Sequence, residues 1–546
     1  MDRGERFGRL FLQSARRRVS RWGFLLLSVA ALCGAGIAPG LAAEAPKAGG
    51  TVVIGLGDSP TFLAPDFNAN VPDVMVGCML YDALVRFGQG FEIVPGLAKS
   101  WDISPDGLVY TLHLEAANWQ DGKPVTSADV KFTLTELSAK YGPKFNAPGK
   151  AIDSIDDSDP KTVVIKLKKT FGPFLFSLAC EQNAAILPAH LLRGGEILKN
   201  PALLAQPVGN GPFKLAEWVR GDHITVSRNP DYWRKGEPYL DRIVLKFLPD
   251  PSARVLALQA GEIDFIDEYY FPLSSYKIIA SDPRFQVKEV GYPSDDLIIF
   301  NTKRAPFDNP KVRQALLMAI DREYIHKFVH FGVGSVGESA IDTRLKWAHN
   351  PAVAYDKLYA FDPARAKATL DEAGFKPGAD GTRFTINLVF STARAEDVAE
   401  SQVLQRFWQD VGAKVVLNGL DGATFQKQTF ADYDFDVAQF NYTTGGDPAL
   451  GVARLYTTET INPKAVYVNV SRYSRPEIDD LFAAGRDAPT QAERAKAYFK
   501  AQEILSQDLP VILVHQQALT DAASVRLQDV YKAAHYLWWG SVWLKD

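Results

Sequence analysis

The sequence predicts an α/β protein with more than one domain. Apolar runs typical of strands alternate with amphipathic helical segments through most of the chain. The chain has 546 residues, 47% of them hydrophobic, and can therefore bury more than one core. No internal repeat or low-complexity segment interrupts the alternation. Sheets covered by helices are the architecture that this pattern favours.

The first 43 residues have the order of a secretory signal. Four arginines within residues 16–21 precede the apolar run Trp22–Ala38, and the segment Gly40–Ala43 supplies small residues. The apolar run has 17 residues, fewer than the roughly 20 that cross a bilayer. We therefore expect cleavage after Ala42 or Ala43 and a periplasmic product. The general export route is favoured over the twin-arginine route.

The charge of the chain argues against nucleic acid as a partner. The whole sequence has a formal net charge of −4. Residues 1–43 carry seven arginines and two acids, so the remaining chain has a net charge of −9. Phosphate binding needs a basic face, which such a chain does not favour.

Two cysteines, Cys78 and Cys180, remain once Cys33 is removed with the export signal. A single disulfide between them and a pair of buried thiols are both compatible with the sequence.

The segment Pro207–Asp267 is the most informative stretch, and its turn-forming Gly and Pro residues divide it into short elements. Apolar runs predict strands, and a helix follows that Gly261 ends. The predicted elements are the strands Ile224–Val226, Ile243–Leu248 and Ile263–Ile266 and the helix Ser252–Ala260.

Three blocks of this segment, PVGNGPFKL, RNPDYWRKGEPYLDRIV and LQAGEIDFID, resemble the signature of family 5 of the solute-binding proteins, which serve peptide and nickel ABC importers. Blocks before and after it match the same family in order: LYDALVRF, WQDGKPVTSADVKFTL and LIIFNTKRAPFDNPKVRQALLMAIDREYI. The resemblance spans about residues 48–520. One departure is Glu115, where a basic residue is common in the family.

The resemblance implies a bilobed periplasmic binding protein of the type II, Venus-flytrap kind, with an extra subdomain inserted in the first lobe. The expected divisions are residues 1–43 for the signal peptide, 44–84, 207–296 and 512–546 for lobe I, 85–206 for the subdomain and 297–511 for lobe II. It implies a monomer that holds a peptide or peptide-like solute between its lobes and delivers it to a membrane permease and ATPase. No cofactor, metal or catalysis is expected.

The segment Asn441–Pro448 follows the predicted strand Phe435–Phe440 and carries the most specific expectation about the ligand. In peptide-binding relatives, an Asp four residues before this Pro pairs with the α-ammonium group of the peptide. Here that position is Thr444, and a hydroxyl does not neutralise an ammonium group. Either Asp447 takes over this role, or the ligand lacks a free amino terminus, which we favour.

The ligand-binding residues predicted from the resemblance and from this segment are Thr61, Phe62, Asn301, Tyr442, Thr444, Gly445, Gly446, Asp447 and Trp538. An oligosaccharide, an opine-like conjugate and a metal chelate are alternative ligands for the same fold. A secreted hydrolase and a chaperone-like peptide binder are the competing classes of protein.

Enzyme and metal patterns are weak. Residues 332–337 fit GxGxxG but follow a helical pattern instead of a strand, and no GxSxG, HExxH or P-loop pattern occurs. His326 and His330 are spaced to share a metal, but no third ligand lies near them in the sequence, which favours a structural role. For His515 we expect a satisfied core position.

Overall fold

Two mixed β-sheets divide the chain into two lobes, each with its own apolar core. The computed structural model describes residues 45–67, 70–89, 91–194, 196–290, 293–392, 394–463, 465–532 and 538–545, so the predicted signal peptide lies outside the described residues. One buried apolar cluster runs from Val52 to Ile279 and resumes from Ala522 to Val542. The other runs from Leu297 to Val514. The predicted bilobed α/β architecture is confirmed.

The first sheet has parallel strands at its centre and antiparallel strands at its edges. Thr51–Leu56 pairs in parallel with Arg242–Phe247 and with Phe265–Ile266. The order of the described strands across the sheet is Phe285–Val290, Leu519–Ser524, Phe265–Ile266, Thr51–Leu56, Arg242–Phe247, His223–Arg228 and Phe213–Val219. The strands predicted from the segment Pro207–Asp267 all lie here.

The second sheet is the scaffold of the other lobe, and its central strand, Ser294–Phe300, is buried along its whole length. The order of the described strands is Ser335–Val336, Val511–Gln516, Ser294–Phe300, Val437–Thr443, Phe384–Ser391 and Ala413–Leu420. Its neighbour Val511–Gln516 is also buried throughout, and the apolar run Val511–Val514 is typical of a strand that is covered on both faces.

A four-stranded antiparallel sheet forms the core of the inserted subdomain. Its strands, in sheet order, are Ala98–Ile103, Val109–Leu114, Thr162–Leu167 and Ile152–Asp159. Side chains of Val109–Leu114 alternate between half-buried and buried, as the period-2 pattern predicts. Two-stranded ribbons join Val85–Phe87 to Ile93–Pro95 and Leu527–Gln528 to Trp543–Leu544.

Helices cover both sheets, and several begin and end at residues that are typical of helix ends. Asn309 and Asp362 cap helices that have Pro in the first turn, and Gly261 ends a helix with φ 74°. The longer described helices are Val71–Leu80, Ser127–Phe132, Asn146–Ala151, Pro251–Ala260, Pro310–Met318, Arg322–Phe328, Pro363–Glu372, Ala395–Asp410, Pro476–Asp487 and Gln491–Asp508; shorter ones are Ala139–Tyr141, Ala189–Leu192, Pro201–Leu204, Tyr276–Ala280, Tyr355–Leu358, Gly422–Gln426 and Ala453–Tyr456. Among the described residues, no helix combines the length and the apolar character needed to cross a membrane.

The chain passes between the lobes on two neighbouring strands. Ser294–Phe300 enters the second lobe and Val511–Gln516 leaves it, and the two strands pair antiparallel from Asp295 opposite Gln516. Two of the expected boundaries therefore move. Residues 294–296 and 512–516 belong to the second sheet, because their backbone hydrogen bonds are made there, and the crossings fall just before Ser294 and just after Gln516.

A disulfide joins Cys78 to Cys180 across 102 residues of sequence. It ties the helix Val71–Leu80 of the first lobe to the short 3₁₀ turn Cys180–Gln182 of the subdomain. Of the two states that the sequence allowed for these cysteines, the structure shows the bonded one.

We expect the loss of this disulfide to lower the free energy of unfolding by about 2–5 kcal/mol, because a closed loop of this length restricts the unfolded chain. The measurement is guanidinium unfolding of the oxidised protein with and without reductant. The double variant Cys78→Ala, Cys180→Ala is the control, since reductant should not shift its curve. Identical curves for the oxidised and reduced wild type would contradict the expectation.

Candidate ligand-binding site

A cavity of about 610 Å³ lies between the two lobes. On the first lobe, its wall is formed by the start of the helix Pro251–Ala260 and by the segments 268–274 and 518–520. On the second, it is formed by residues between 328 and 333, by the start of the helix Ala395–Asp410 and by the ends of three strands of the second sheet. A cavity of this size and mixed lining is typical of sites for small solutes.

Aromatic side chains stand exposed on both walls of the cavity. Tyr269 on the first lobe is 69% exposed, and Phe328 and Phe331 on the second are 56% and 37% exposed. Phe331 has φ 58°, a left-handed conformation that is unfavourable for a bulky residue and that persists mostly at functional positions. These exposed rings leave apolar surface in water that a bound solute can cover.

Part of the polar lining of the second wall comes from the strand Val437–Thr443. The strand extends three residues beyond its predicted end, so residues 441–443 continue the strand and do not form a loop. Because side chains alternate along a strand, Asn441 and Thr443 line the cavity while Tyr442 points into the core. The Tyr442 hydroxyl donates to the carbonyl oxygen of Tyr467, 3.1 Å away.

Thr444 stands where peptide-binding relatives have the Asp that pairs with the ammonium group, and its side chain faces away from the cavity. Thr444 is 1% exposed, and its hydroxyl donates to Oδ2 of Asp295 at 2.6 Å. Gly445 has φ 71°, and a Cβ at Gly446 would lie 2.6 Å from the ring of Phe176. These two glycines therefore allow a tight turn that packs on the subdomain.

Asp447 is held by a buried ion pair. Its Oδ1 accepts a hydrogen bond from Nη2 of Arg494 at 2.6 Å, and both side chains are less than a tenth exposed. Burial acts to lower the pKa of Arg494, but the charge of Asp447 raises it above its usual value. The carboxylate is thus already neutralised, and the expectation that Asp447 replaces the ammonium anchor is not supported by the geometry.

Asn301 lies at the opposite end of its strand from the cavity. Its side-chain amide donates to the carbonyl oxygens of Tyr433 and Phe435, and its Oδ1 accepts from Arg472. These contacts satisfy a buried amide. Asn301 therefore stabilises loops of the second lobe and is not placed to contact a solute in this cavity.

Thr61 and Phe62 are held against the helix Val71–Leu80, since their backbone N–H groups donate to the carboxylate of Asp73 in its first turn. Trp538 lines a separate pocket of about 290 Å³ in the first lobe and the subdomain. In that pocket, the guanidinium group of Arg86 stacks on the ring of Trp538, 3.2 Å from the centre of the ring. None of the nine predicted site residues lines the cavity between the lobes.

The residues that do line the cavity had partial signals in the sequence. Tyr269 and Tyr270 form an aromatic pair soon after the predicted strand Ile263–Ile266, and His515 follows the apolar run Val511–Val514, which is typical of a strand. Phe328 and Phe331 gave no signal, because aromatic residues near the end of a helix are more often part of a core.

Two groups of buried titratable side chains border the cavity. In the first lobe, burial raises the pKa of Asp267 to about 7 next to Glu268 and Asp521. In the second lobe, Asp296, His330 and His515 converge. Burial lowers the pKa of His515 to about 4, whereas the pKa of Asp296 is lowered because the hydrogen bond and charges of its neighbours outweigh burial.

The fold and the cavity together define a two-lobed protein that encloses a solute between its lobes. The model of the family described as "Bacterial extracellular solute-binding proteins, family 5 Middle" matches residues 92–463, more than half of the chain. The chain therefore belongs to family 5 of the bacterial extracellular solute-binding proteins, as its sequence motifs predict. It is the solute-binding component of an ABC importer.

Similar proteins differ in the solutes that their names report. Heme-binding protein A of Haemophilus influenzae is 30% identical over 484 residues, which cover 84% of this chain and 85% of that protein. Glutathione-binding protein GsiB of Escherichia coli K12 is 28% identical, covering 90% and 94%. The solved structure of AgaA from A. tumefacien R10, in complex with agropinic acid, aligns with a TM-score of 0.73 and 28% identity over 91% of this chain and 99% of that one.

Replacement of Asp447 by asparagine should lower the free energy of unfolding by about 3–5 kcal/mol, because it leaves the buried charge of Arg494 without a partner. Solute affinity of the folded protein should not change. Chemical unfolding and calorimetry measure the two quantities.

The matched control is Asp434→Asn, which removes an exposed partner of Arg304 and should cost less than about 1 kcal/mol. Unchanged stability combined with lost affinity in the Asp447 variant would instead assign Asp447 to the ligand.

Proposed function

We propose that this importer component captures a peptide-like solute whose amino terminus is blocked or absent, and that the cavity between the lobes is its site. The observation that carries this proposal is the state of the two candidate ammonium anchors. Thr444 is buried against Asp295, and Asp447 is buried against Arg494. A free α-ammonium group in that place would find no uncompensated carboxylate to offset its desolvation.

The lining of the cavity supports a solute with an apolar, ring-bearing part. Tyr269 offers an exposed ring from the first lobe, and Phe331 offers one from the second. Aromatic rings of this kind bind apolar groups by stacking and by covering surface. Asn441 and Thr443 supply polar contacts for orientation.

Binding drives closure of the lobes, because a solute contacts both walls only when they are close together. Such a solute has a higher affinity for the closed form and shifts the population toward it. The two crossing strands, Ser294–Phe300 and Val511–Gln516, are where the chain bends. Removal of the signal peptide, residues 1–43, releases the protein into the periplasm. It acts there as a monomer, delivers the closed complex to the membrane permease and its ATPase, and catalyses no reaction.

A pair of tripeptides tests the ligand class: Ala-Phe-Ala with a free amino terminus and the same peptide acetylated. We expect the acetylated peptide to bind at least as tightly as the free one in isothermal titration calorimetry, because neither Thr444 nor Asp447 offers an uncompensated carboxylate to the ammonium group. A loss of tenfold or more on acetylation would overturn the proposal.

Tyr269→Ala should weaken binding of the acetylated peptide about tenfold, since one aromatic contact contributes about 0.5–1.5 kcal/mol beyond its buried area. The control is Phe361→Ala, which removes a ring that is 48% exposed in the second lobe but does not line the cavity. Equal losses in the two variants would contradict a role for Tyr269 in the site.

A further inference from the structure

The group of Asp296, His330 and His515 lies where the two crossing strands meet a helix. Asp296 is on the strand that enters the second lobe, and His515 is its cross-strand partner on the strand that leaves it. His330 follows the helix Arg322–Phe328. The three side chains are at most 1% exposed, and one potential ligand atom of each lies within 4.8 Å of the others.

Three buried polar atoms in this group have no hydrogen-bond partner at the usual distance of about 2.7–3.2 Å. They are Oδ2 of Asp296, Nδ1 of His330 and Nδ1 of His515. A buried polar atom without a partner is costly and rare in folded proteins. Three of them in one small region indicate that a further species satisfies them.

The remaining atoms of these side chains are held in place. Oδ1 of Asp296 accepts from Nε2 of Gln517 at 2.7 Å and from Arg394 at 3.3 Å. Nε2 of His515 lies 3.2 Å from Nδ1 of His326. Contacts of this kind orient ligands from behind in metal sites and leave the opposite atom directed inward.

The distances fit a metal ion better than they fit direct hydrogen bonds. Oδ2 of Asp296 lies 3.5 Å from Nε2 of His330 and 3.5 Å from Nδ1 of His515, longer than the usual range for a hydrogen bond of about 2.7–3.2 Å. Nε2 of His330 also lies 3.2 Å from Oε2 of Glu400, so an ion that this nitrogen binds replaces that contact. In a tetrahedral site with bonds of about 2.0–2.2 Å, neighbouring ligand atoms are roughly 3.4 Å apart.

We propose that Asp296, His330 and His515 bind one divalent transition-metal ion beside the solute cavity. Two imidazoles and one carboxylate suit Zn²⁺, Co²⁺ and Ni²⁺ and are poor ligands for Mg²⁺ and Ca²⁺. Three protein ligands leave a fourth position open. An ion enters through the cavity, which His515 lines.

Binding requires one imidazole ring to turn. The rings of His330 and His515 stack with their centres 3.8 Å apart and 4° between their planes, whereas an ion lies in the plane of each ring that holds it. The proposal therefore includes a change in the side-chain rotation of one histidine, which also separates the ring pair. The ion then links both crossing strands to the helix, so it stabilises the folded second lobe.

Metal titration of the untagged mature chain, stripped with chelator, tests the site without any solute. We expect about one equivalent of Zn²⁺ by calorimetry and by elemental analysis, a higher melting temperature with Zn²⁺, and a visible spectrum of bound Co²⁺. The variants Asp296→Asn and His330→Gln should each bind Zn²⁺ at least about 100-fold more weakly, since each loses a ligand. His190→Gln is the control, because it removes a histidine of the subdomain that pairs with Asp121.

If the wild type binds none of Zn²⁺, Co²⁺ and Ni²⁺, the proposal is overturned. Asp296, His330 and His515 would then bind protons and no metal ion. Unchanged affinity in His330→Gln would overturn it as well. If Asp296→Asn does not fold, His330→Gln and the Co²⁺ spectrum of the wild type decide. Because the titration contains no peptide, its result does not depend on the proposed solute class.

Discussion

The antiparallel pairing of Ser294–Phe300 with Val511–Gln516 is the interaction on which the two-lobed arrangement depends. These strands form the centre of the second sheet and then continue toward the first, so the lobes share two adjacent chain crossings. Arg344 links the two crossings. Its guanidinium group donates to the carboxylate of Asp342 and to the carbonyl oxygens of Gln517 and Ser294. A guanidinium group with several fixed donors suits this task, because it holds two backbones at once.

Much of the fold is predictable from local sequence rules, because those rules act over a few residues. Asn309 with Pro310, Asp362 with Pro363, and Gly261 mark helix ends that the structure shows at the same places. The predictions of strand ends fail where a strand pairs with residues that are far away in the sequence. The strand Val437–Thr443 continues past its predicted end because residues 441–443 find partners on Ser294–Phe300, about 150 residues earlier.

The candidate site was less predictable, because a residue type does not reveal its partners. Asp447 has the chemistry of an anchor, but Arg494 lies 47 residues later in the chain and neutralises it. The side-chain amide of Asn301 likewise donates hydrogen bonds to the backbone carbonyl oxygens of residues 433 and 435. The resemblance to family 5 identified the class of protein, whereas the walls of the cavity depend on which lobe presents Tyr269 and Phe331, and that required the structure.

The bond between Cys78 and Cys180 has a consequence for where the protein can mature. Thiols stay reduced in a bacterial cytoplasm and pair in oxidising compartments. A newly made chain therefore lacks this covalent link between the helix Val71–Leu80 and the turn Cys180–Gln182 of the subdomain. It remains easier to unfold, and so easier to thread through an export channel, until oxidation outside the cytoplasm locks the finished shape.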